Sequence, residues 1–288
     1  MLPNYLDLSV GGTLAVGGVG GATHRHGLVT DTVLELDVVT GDGEVTTCSP
    51  TRNAGLFDQV RAGLGQFGIA TRAVLSLVEA PERARRYTLR YPDLAALAAD
   101  QELLLHSGRA GHLQGSVLPT DAGWRYQLEL AVFDADEDGA AVLRDLEDHR
   151  ADAQIEDVSY REHLEAFDRF TELLRSTGEW SVPHPWLLTF LPGSVAVPAA
   201  QGILDDLTPG DLGDHGAVLF HPVSTRAFAT PLAQIPDEAV VYPFNLIRFA
   251  SHPGSAAAMV RQNHEVHDRV RTAGGTLYPA SAIGPVPA

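Results

Sequence analysis

A single cysteine, Cys48, stands in 288 residues, which excludes an intrachain disulfide and any metal site built from several cysteines. It lies in the strand-like run Glu44-Val-Thr-Thr-Cys48, where a buried, inert thiol is expected. No apolar run approaches the roughly 20 residues that span a bilayer. The first residues lack the basic head and continuous apolar core of a secretory signal, so a cytoplasmic location is expected. Positive charge is scarce as well. Scattered arginines supply it, most densely at Arg83, Arg85, Arg86 and Arg90, and the formal net charge is −17. That balance repels phosphates, so neither a nucleic-acid partner nor an anionic membrane surface is expected. Neither a G-x-S-x-G nucleophile elbow nor a Walker loop occurs.

Metal motifs are equally thin. His24 and His26 stand two apart with no third ligand nearby and read as a polar turn or strand face. In Asn263-His-Glu-Val-His267 the histidines are three apart, so the H-E-x-x-H zinc spacing is missed and they read as solvated helix-face residues. Asp134-Ala-Asp-Glu-Asp138 lacks the spacing of a calcium loop and reads as the acidic start of a helix. No metal is expected.

What is present is an ordinary globular composition, 44% hydrophobic and 20% charged, long enough for one large or two ordinary domains. Its most unusual stretch is Leu8–Ala22, with six glycines between residues 11 and 21. Glycine is placed where φ is positive or where something approaches the main chain closely. Strands over 6–10 and 14–16 are expected to flank these glycines and leave bare N–H groups, a surface suited to a phosphate or a flat cofactor ring. A plain hairpin with a glycine-rich loop fits the same run.

Further along, 32–39 and 44–48 form a hairpin, and 53–64 forms an amphipathic helix on Leu56, Val60 and Leu64. Gly63-Leu-Gly-Gln-Phe-Gly68 spells the dinucleotide pattern G-x-G-x-x-G, but a helix precedes it and a strand, 69–77, follows. That order is reversed from a Rossmann site, so the run reads as a helix stop. Beyond residue 81, strands 84–89, 115–118, 124–133 and 155–158 alternate with helices 94–106, 139–150 and 160–175. This is the pattern of an α+β domain on one antiparallel sheet. A strand over 240–248 and a helix over 256–272 close the series.

Several of these runs carry a resemblance. Ser9-Val-Gly-Gly-Thr-Leu14, Arg25-His-Gly27, Val33-Leu-Glu-Leu-Asp-Val38 and Gly63–Gly68 resemble one continuous block of the cytokinin dehydrogenases (cytokinin oxidases), FAD-linked oxidoreductases of the vanillyl-alcohol-oxidase (VAO) type. Tyr91-Pro-Asp-Leu94, Asp100-Gln-Glu102 and above all Val182-Pro-His-Pro-Trp-Leu187 resemble the family's substrate domain, and the likeness fades after about residue 275. The resemblance implies the second half of a PCMH-type FAD-binding domain at 1–80, an α+β substrate (cap) domain with an antiparallel sheet at 81–275, and the start of a return segment at 276–288. In the family, a preceding subdomain supplies the pyrophosphate loop, and commonly a histidine bonded covalently to FAD. The likeness here begins after it.

The site residues follow from the same resemblance. Ser9, Gly12, Thr13, Ala15, Val19 and Ala70 would contact FAD. Trp186 and Pro222 would wall a slot for a flat heteroaromatic substrate, and Leu246 would line it from the strand 240–248. The family oxidises a secondary amine beside an allylic carbon, passing hydride to the flavin while a carboxylate accepts or holds the N–H. The imine then hydrolyses to adenine and an aldehyde, and oxygen or a quinone takes the electrons. Asn4 occupies the carboxylate's place. An amide is no general base near neutral pH, though it still accepts a hydrogen bond. Asp7 would face the other side of a regular strand. An alcohol or sugar substrate therefore stays open beside the amine, as does a non-catalytic remnant without FAD.

Overall fold

Ser9 decides the conformation of the glycine-rich start. Its hydroxyl accepts from Gly12 N at 3.2 Å and caps helix α1 (Val10–Val16), a contact of a kind that contributes about 0.5–2 kcal/mol. The strands expected at 6–10 and 14–16 are not formed. Each glycine inside the helix costs about 1 kcal/mol against alanine. Burial of Leu14 offsets this, as do hydrogen bonds from Ala62 N and Leu64 N to the Leu14 and Ala15 carbonyls. The computed structural model describes residues 2–134, 139–148 and 150–283. The acidic run at 135–138 and the last five residues lie outside them.

The chain divides into two compact units, 1–80 with 224–234, and 81–223 with 235–288. The segment 224–234, which sequence order assigns to the second domain, thus belongs with the first unit. After the single turn α2 (Thr23–His26), which carries both histidines, come β1 (Val33–Val39), β2 (Val45–Cys48), α3 (Ala54–Val60) and β3 (Ile69–Leu75). The strands form an antiparallel sheet in the order β2-β1-β3, with Leu36 opposite Cys48 and Val38 opposite Ala70. Leu14, Val33, Leu36, Val38, Cys48 and Phe57 make its core. Cys48 is fully buried, and burial pushes its thiol up, as an inert cysteine requires.

The false dinucleotide motif is explained by packing. A Cβ on Gly68 would lie 2.5 Å from Val38 Cγ1, and one on Gly63 would lie 1.8 Å from the Gln59 carbonyl oxygen. In the same unit Asp31 fastens the returning segment. It accepts from Leu28 N at 2.8 Å, Ala229 N at 2.9 Å and the Thr230 hydroxyl at 2.6 Å. Buried Arg61 donates to the Ala229 carbonyl at 3.2 Å.

The second unit is built on a nine-stranded sheet. Its elements are β4 (Arg83–Tyr91), α4 (Leu94–Ser107), β5 (His112–Thr120), β6 (Gly123–Phe133), β7 (Gln154–Ser159), α5 (Tyr160–Leu164), α6 (Ala166–Thr177), β8 (Leu187–Pro192), α7 (Ala196–Asp206), β9 (Ala217–Phe220), β10 (Val223–Ser224), β11 (Val240–Ile247), α8 (Pro253–Thr272) and β12 (Thr276–Leu277). The strand order is β12-β8-β11-β9-β5-β6-β4-β7, antiparallel at each paired register, with β10 also on β11. Tyr87, Leu89, Val117, Leu128, Leu130, Phe220, Phe244 and Leu246 meet residues of α4 and α7 in its core.

Two expected helices differ. Among the described residues of 139–150 the chain forms the 3-10 turn Gly139–Leu143 and the start of another, Arg150–Asp152, because Arg109 takes the Ala141 and Arg144 carbonyls and the Glu147 amide donates to Asp100. The helix expected at 160–175 is broken at Glu165 (φ −83°, ψ 6°) into α5 and α6.

Asp100 itself is buried on α4 and accepts from Tyr91 Oη at 2.9 Å and Glu147 N at 2.8 Å. Burial raises its carboxyl despite both bonds. A carboxyl raised in the folded state loses stability as pH climbs through its range, because the unfolded chain ionises more easily. Asp100→Asn keeps an acceptor oxygen and removes that cost. Urea unfolding should therefore show the variant gaining on the native chain between pH 4 and pH 8, and a constant difference would contradict this.

Candidate functional site

In the first unit the chain before α1 is irregular, so the strand-face contrast between Asn4 and Asp7 does not hold. Asn4 Oδ1 accepts from Gly21 N at 2.8 Å and pins the far end of the glycine loop. Other loop amides are also committed. Gly12 N donates to Ser9 Oγ, Thr13 N to the Ser9 carbonyl, Gly17 N to the Thr13 carbonyl, and Gly20 N to Thr23 Oγ1. The expected row of bare N–H groups is corrected accordingly.

What this segment presents instead is a surface with few side chains. Gly11 and Gly12 are exposed, and a Cβ on Gly11 would meet nothing within 4 Å. Ser9 is exposed beside them, Thr13 is buried, and Ala15 and Val19 are half-buried. The bonds from Ala62 N and Leu64 N bring the loop before Ala70 to the end of α1. A flat ring fits against such a face, whereas a pyrophosphate would find few donors in these amides.

In the second unit Trp186 is held by its backbone. Ala250 N donates to the Pro183 carbonyl, Ala282 N to the Trp186 carbonyl, and fully buried Asn263 donates from Nδ2 to the Pro185 and Ala282 carbonyls, 3.0 Å each. The run 263–267 had suggested nothing beyond a rejected zinc motif. Its asparagine braces the Val182–Trp186 loop, and its histidines are half-buried. The Trp186 ring lies 5.8 Å from His184 and 6.5 Å from Phe249, and burial lowers the His184 imidazole. Trp186 Nε1 and His184 Nε2 are buried with no hydrogen-bond partner among the described residues.

Trp186 and Pro222 both lie just outside the paired strands, before β8 and between β9 and β10. Leu187 pairs with Leu246 and Leu246 with Val218, four residues before Pro222. Leu246 is also corrected. It is fully buried on the helix-covered face with Tyr242 and Phe244, while Asn245 and Ile247 take the other face. On that other face, Gln127 and Glu129 of β6 were missed. Gln127 Nε2 donates to Glu129 Oε1 at 3.0 Å, and burial raises the Glu129 carboxyl. The signal was available as polar residues at alternate positions of a central strand.

Among the described residues, no group of three or more His, Cys, Asp or Glu is placed to hold a metal ion. No helix among the described residues is long and apolar enough to cross a membrane.

Comparison with known proteins adds family to geometry. Residues 119–277 match the family model "Cytokinin dehydrogenase 1, FAD and cytokinin binding", and residues 3–49 match "FAD binding domain". The chain belongs to the cytokinin dehydrogenase family. An uncharacterized oxidoreductase, ORF5 in the fasciation locus of Rhodococcoides fascians, is 35% identical over 98% of this chain and 65% of its own length. Cytokinin dehydrogenase 10 of Oryza sativa subsp. japonica is 34% identical over 95% of this chain and 58% of its own. This cytokinin dehydrogenase family chain thus spans roughly three-fifths of those relatives.

Among solved structures, a xylooligosaccharide oxidase from Myceliophthora thermophila C1 superposes with TM-score 0.71 at 18% identity, covering 93% of this chain and 61% of that one. The VAO-type flavoprotein MtVAO615 from the same source gives 0.67 at 18%, covering 96% and 54%. The fold of this cytokinin dehydrogenase relative is that of the VAO/PCMH flavoproteins.

Proposed function

We propose that this chain is the flavin-contacting and substrate-holding part of an FAD-dependent oxidoreductase of the cytokinin dehydrogenase type, acting on a flat heteroaromatic secondary amine. The reading is carried by the family-model match over 119–277, which includes the Trp186 loop with its three-sided backbone brace. Residues 1–80 serve as a partial FAD-binding domain, 81–275 as the substrate domain and 276–288 as the start of a return segment. When bound, FAD supplies a hydride acceptor.

Ser9, Gly12, Thr13, Ala15, Val19 and Ala70 contribute a flat main-chain and methyl surface for it. The Trp186 indole offers an apolar wall to a planar ring. Pro222 contributes a second apolar wall of the slot, and the strand around Leu246 supports it through its backbone. Oxygen or a quinone is the electron acceptor. Asn4 favours a second reading, oxidation of an alcohol or sugar, since its amide holds a polar group without taking a proton.

The test is direct. The purified 288-residue chain, incubated with FAD and passed through gel filtration, should retain a yellow flavin spectrum. That spectrum should bleach anaerobically with an N6-allylic adenine. A colourless chain would mark a non-catalytic remnant. Bleaching by an alcohol or sugar alone would favour the second reading.

A further inference from the structure

The largest side chain wholly inside the second unit is a cation. Arg248, the residue after β11, is fully buried, and its Nη1 donates to the Met259 carbonyl of α8 at 2.8 Å. The backbone that follows it is fastened as well. Phe249 N donates to the Leu212 carbonyl at 2.9 Å, and Ala250 N to the Pro183 carbonyl at 3.0 Å. The side chain is therefore held at its root and at one corner of its head. The other two nitrogens, Nε and Nη2, are buried with no hydrogen-bond partner among the described residues. They lie along one edge of the planar guanidinium, so their N–H groups converge on a single point.

A buried cation calls for acceptors and for opposite charge. Asp211 is the carboxylate whose charge acts on Arg248, but it does not reach the open edge. Its Oδ2 accepts instead from the Thr208 amide and hydroxyl, 2.7 Å each. Burial brings the guanidinium down to about 10, against the pull of Asp211, so it is still charged at neutral pH. A water molecule at the edge would satisfy both N–H groups and leave the charge unmatched. A small anion meets both needs, because charge-assisted bonds to a guanidinium edge are the strong kind. Complete burial of the side chain favours a compact anion, such as a halide, over a phosphate.

We propose that the Nε–Nη2 edge of Arg248 is a binding site for one small anion of the halide class inside the second unit. Such an anion sits between the two braces of the Trp186 loop. Ala250, two residues past Arg248, holds Pro183, and Asn263, one turn past Met259 on α8, holds Pro185. The site uses neither flavin nor substrate, so it stands or falls apart from the oxidoreductase reading.

The test follows thermal unfolding of the purified chain in sodium chloride and in sodium gluconate at equal ionic strength. Ionic strength is matched because a net charge of −17 lets any salt stabilise the fold by screening. Gluconate is too bulky for the site. Above the dissociation constant, each tenfold rise in chloride should raise the folded-to-unfolded ratio about tenfold, and gluconate should not. Arg248→Met should show the same midpoint in both salts, and it should fold, since apolar side chains often replace buried charges without loss. Should it fail to fold, bromide diffused into crystals of the native chain should give an anomalous peak within hydrogen-bond reach of Nε and Nη2. Equal midpoints for the native chain in the two salts, or bromide peaks only elsewhere, would assign the edge to water and overturn the proposal. A chloride shift that survives intact in Arg248→Met would overturn it too.

Discussion

Asn4→Asp is expected to raise turnover of a secondary amine by about 10²-fold or more, within the range a positioned base contributes. The geometry prepares the position for a carboxylate. Gly21 N already donates to Oδ1 of Asn4 at 2.8 Å, and the same N–H would favour the charged form of an aspartate and hold its pKa down. One oxygen would stay fastened to the loop through Gly21 N. The base is active when ionised, so the rate should rise through the acidic range and level off well below neutrality. The measurement is kcat for an N6-allylic adenine across pH in the FAD-loaded protein. If kcat does not change, position 4 is a fastener of the glycine loop and takes no part in proton transfer.

Gly115→Ala should cost roughly 3–5 kcal/mol, more than most single substitutions, because overpacking and lost hydrogen bonds add. A Cβ there would fall 1.9 Å from Gln101 Nε2 and 2.1 Å from the Phe220 carbonyl oxygen. Those two atoms are bonded to each other at 2.9 Å, and Gln101 is fully buried on α4. The carbonyl belongs to β9, which is held between β5 and β11 and cannot retreat. Gln101 must therefore swing away, leaving its amide and the carbonyl unpaired inside the core. Urea titration of both proteins would read the loss directly. A loss under about 1 kcal/mol would mean the sheet relaxes far more than close packing allows.

Much of the second unit was legible from alternation. The run 124–133 reads as a half-buried strand because Tyr126, Leu128 and Leu130 share one face, and β6 occupies Gly123–Phe133. The hairpin β1–β2 and the rejection of Gly63–Gly68 as a nucleotide loop were legible in the same way, from turn residues and element order. The helix at Val10–Val16 was not. Its glycines and β-branched residues argue locally for extended chain, and the cap at Ser9 together with burial of Leu14 outweighs them. The expected helix at 139–150 failed for a similar reason, since distant Arg109 and Asp100 capture its backbone groups.

In the site, Trp186 was legible through its proline-flanked motif, but its partners were not. Which face of β11 the helices cover depends on how α4 and α7 cross the sheet. Local sequence cannot separate Leu246 from Asn245 and Ile247 on that question.

The fastening of Ala229 and Thr230 by Asp31 has a practical corollary for dissecting the protein. A fragment cut after Ala80 removes two of the three donors that Asp31 holds and the Ala229 acceptor of Arg61. Gene splitting at that point would yield a piece with an unquenched carboxylate and a sticky, incompletely closed surface. Domain swaps with a relative must carry residues 224–234 along with the first eighty, because Asp31 and Arg61 hold the two stretches in one compact unit.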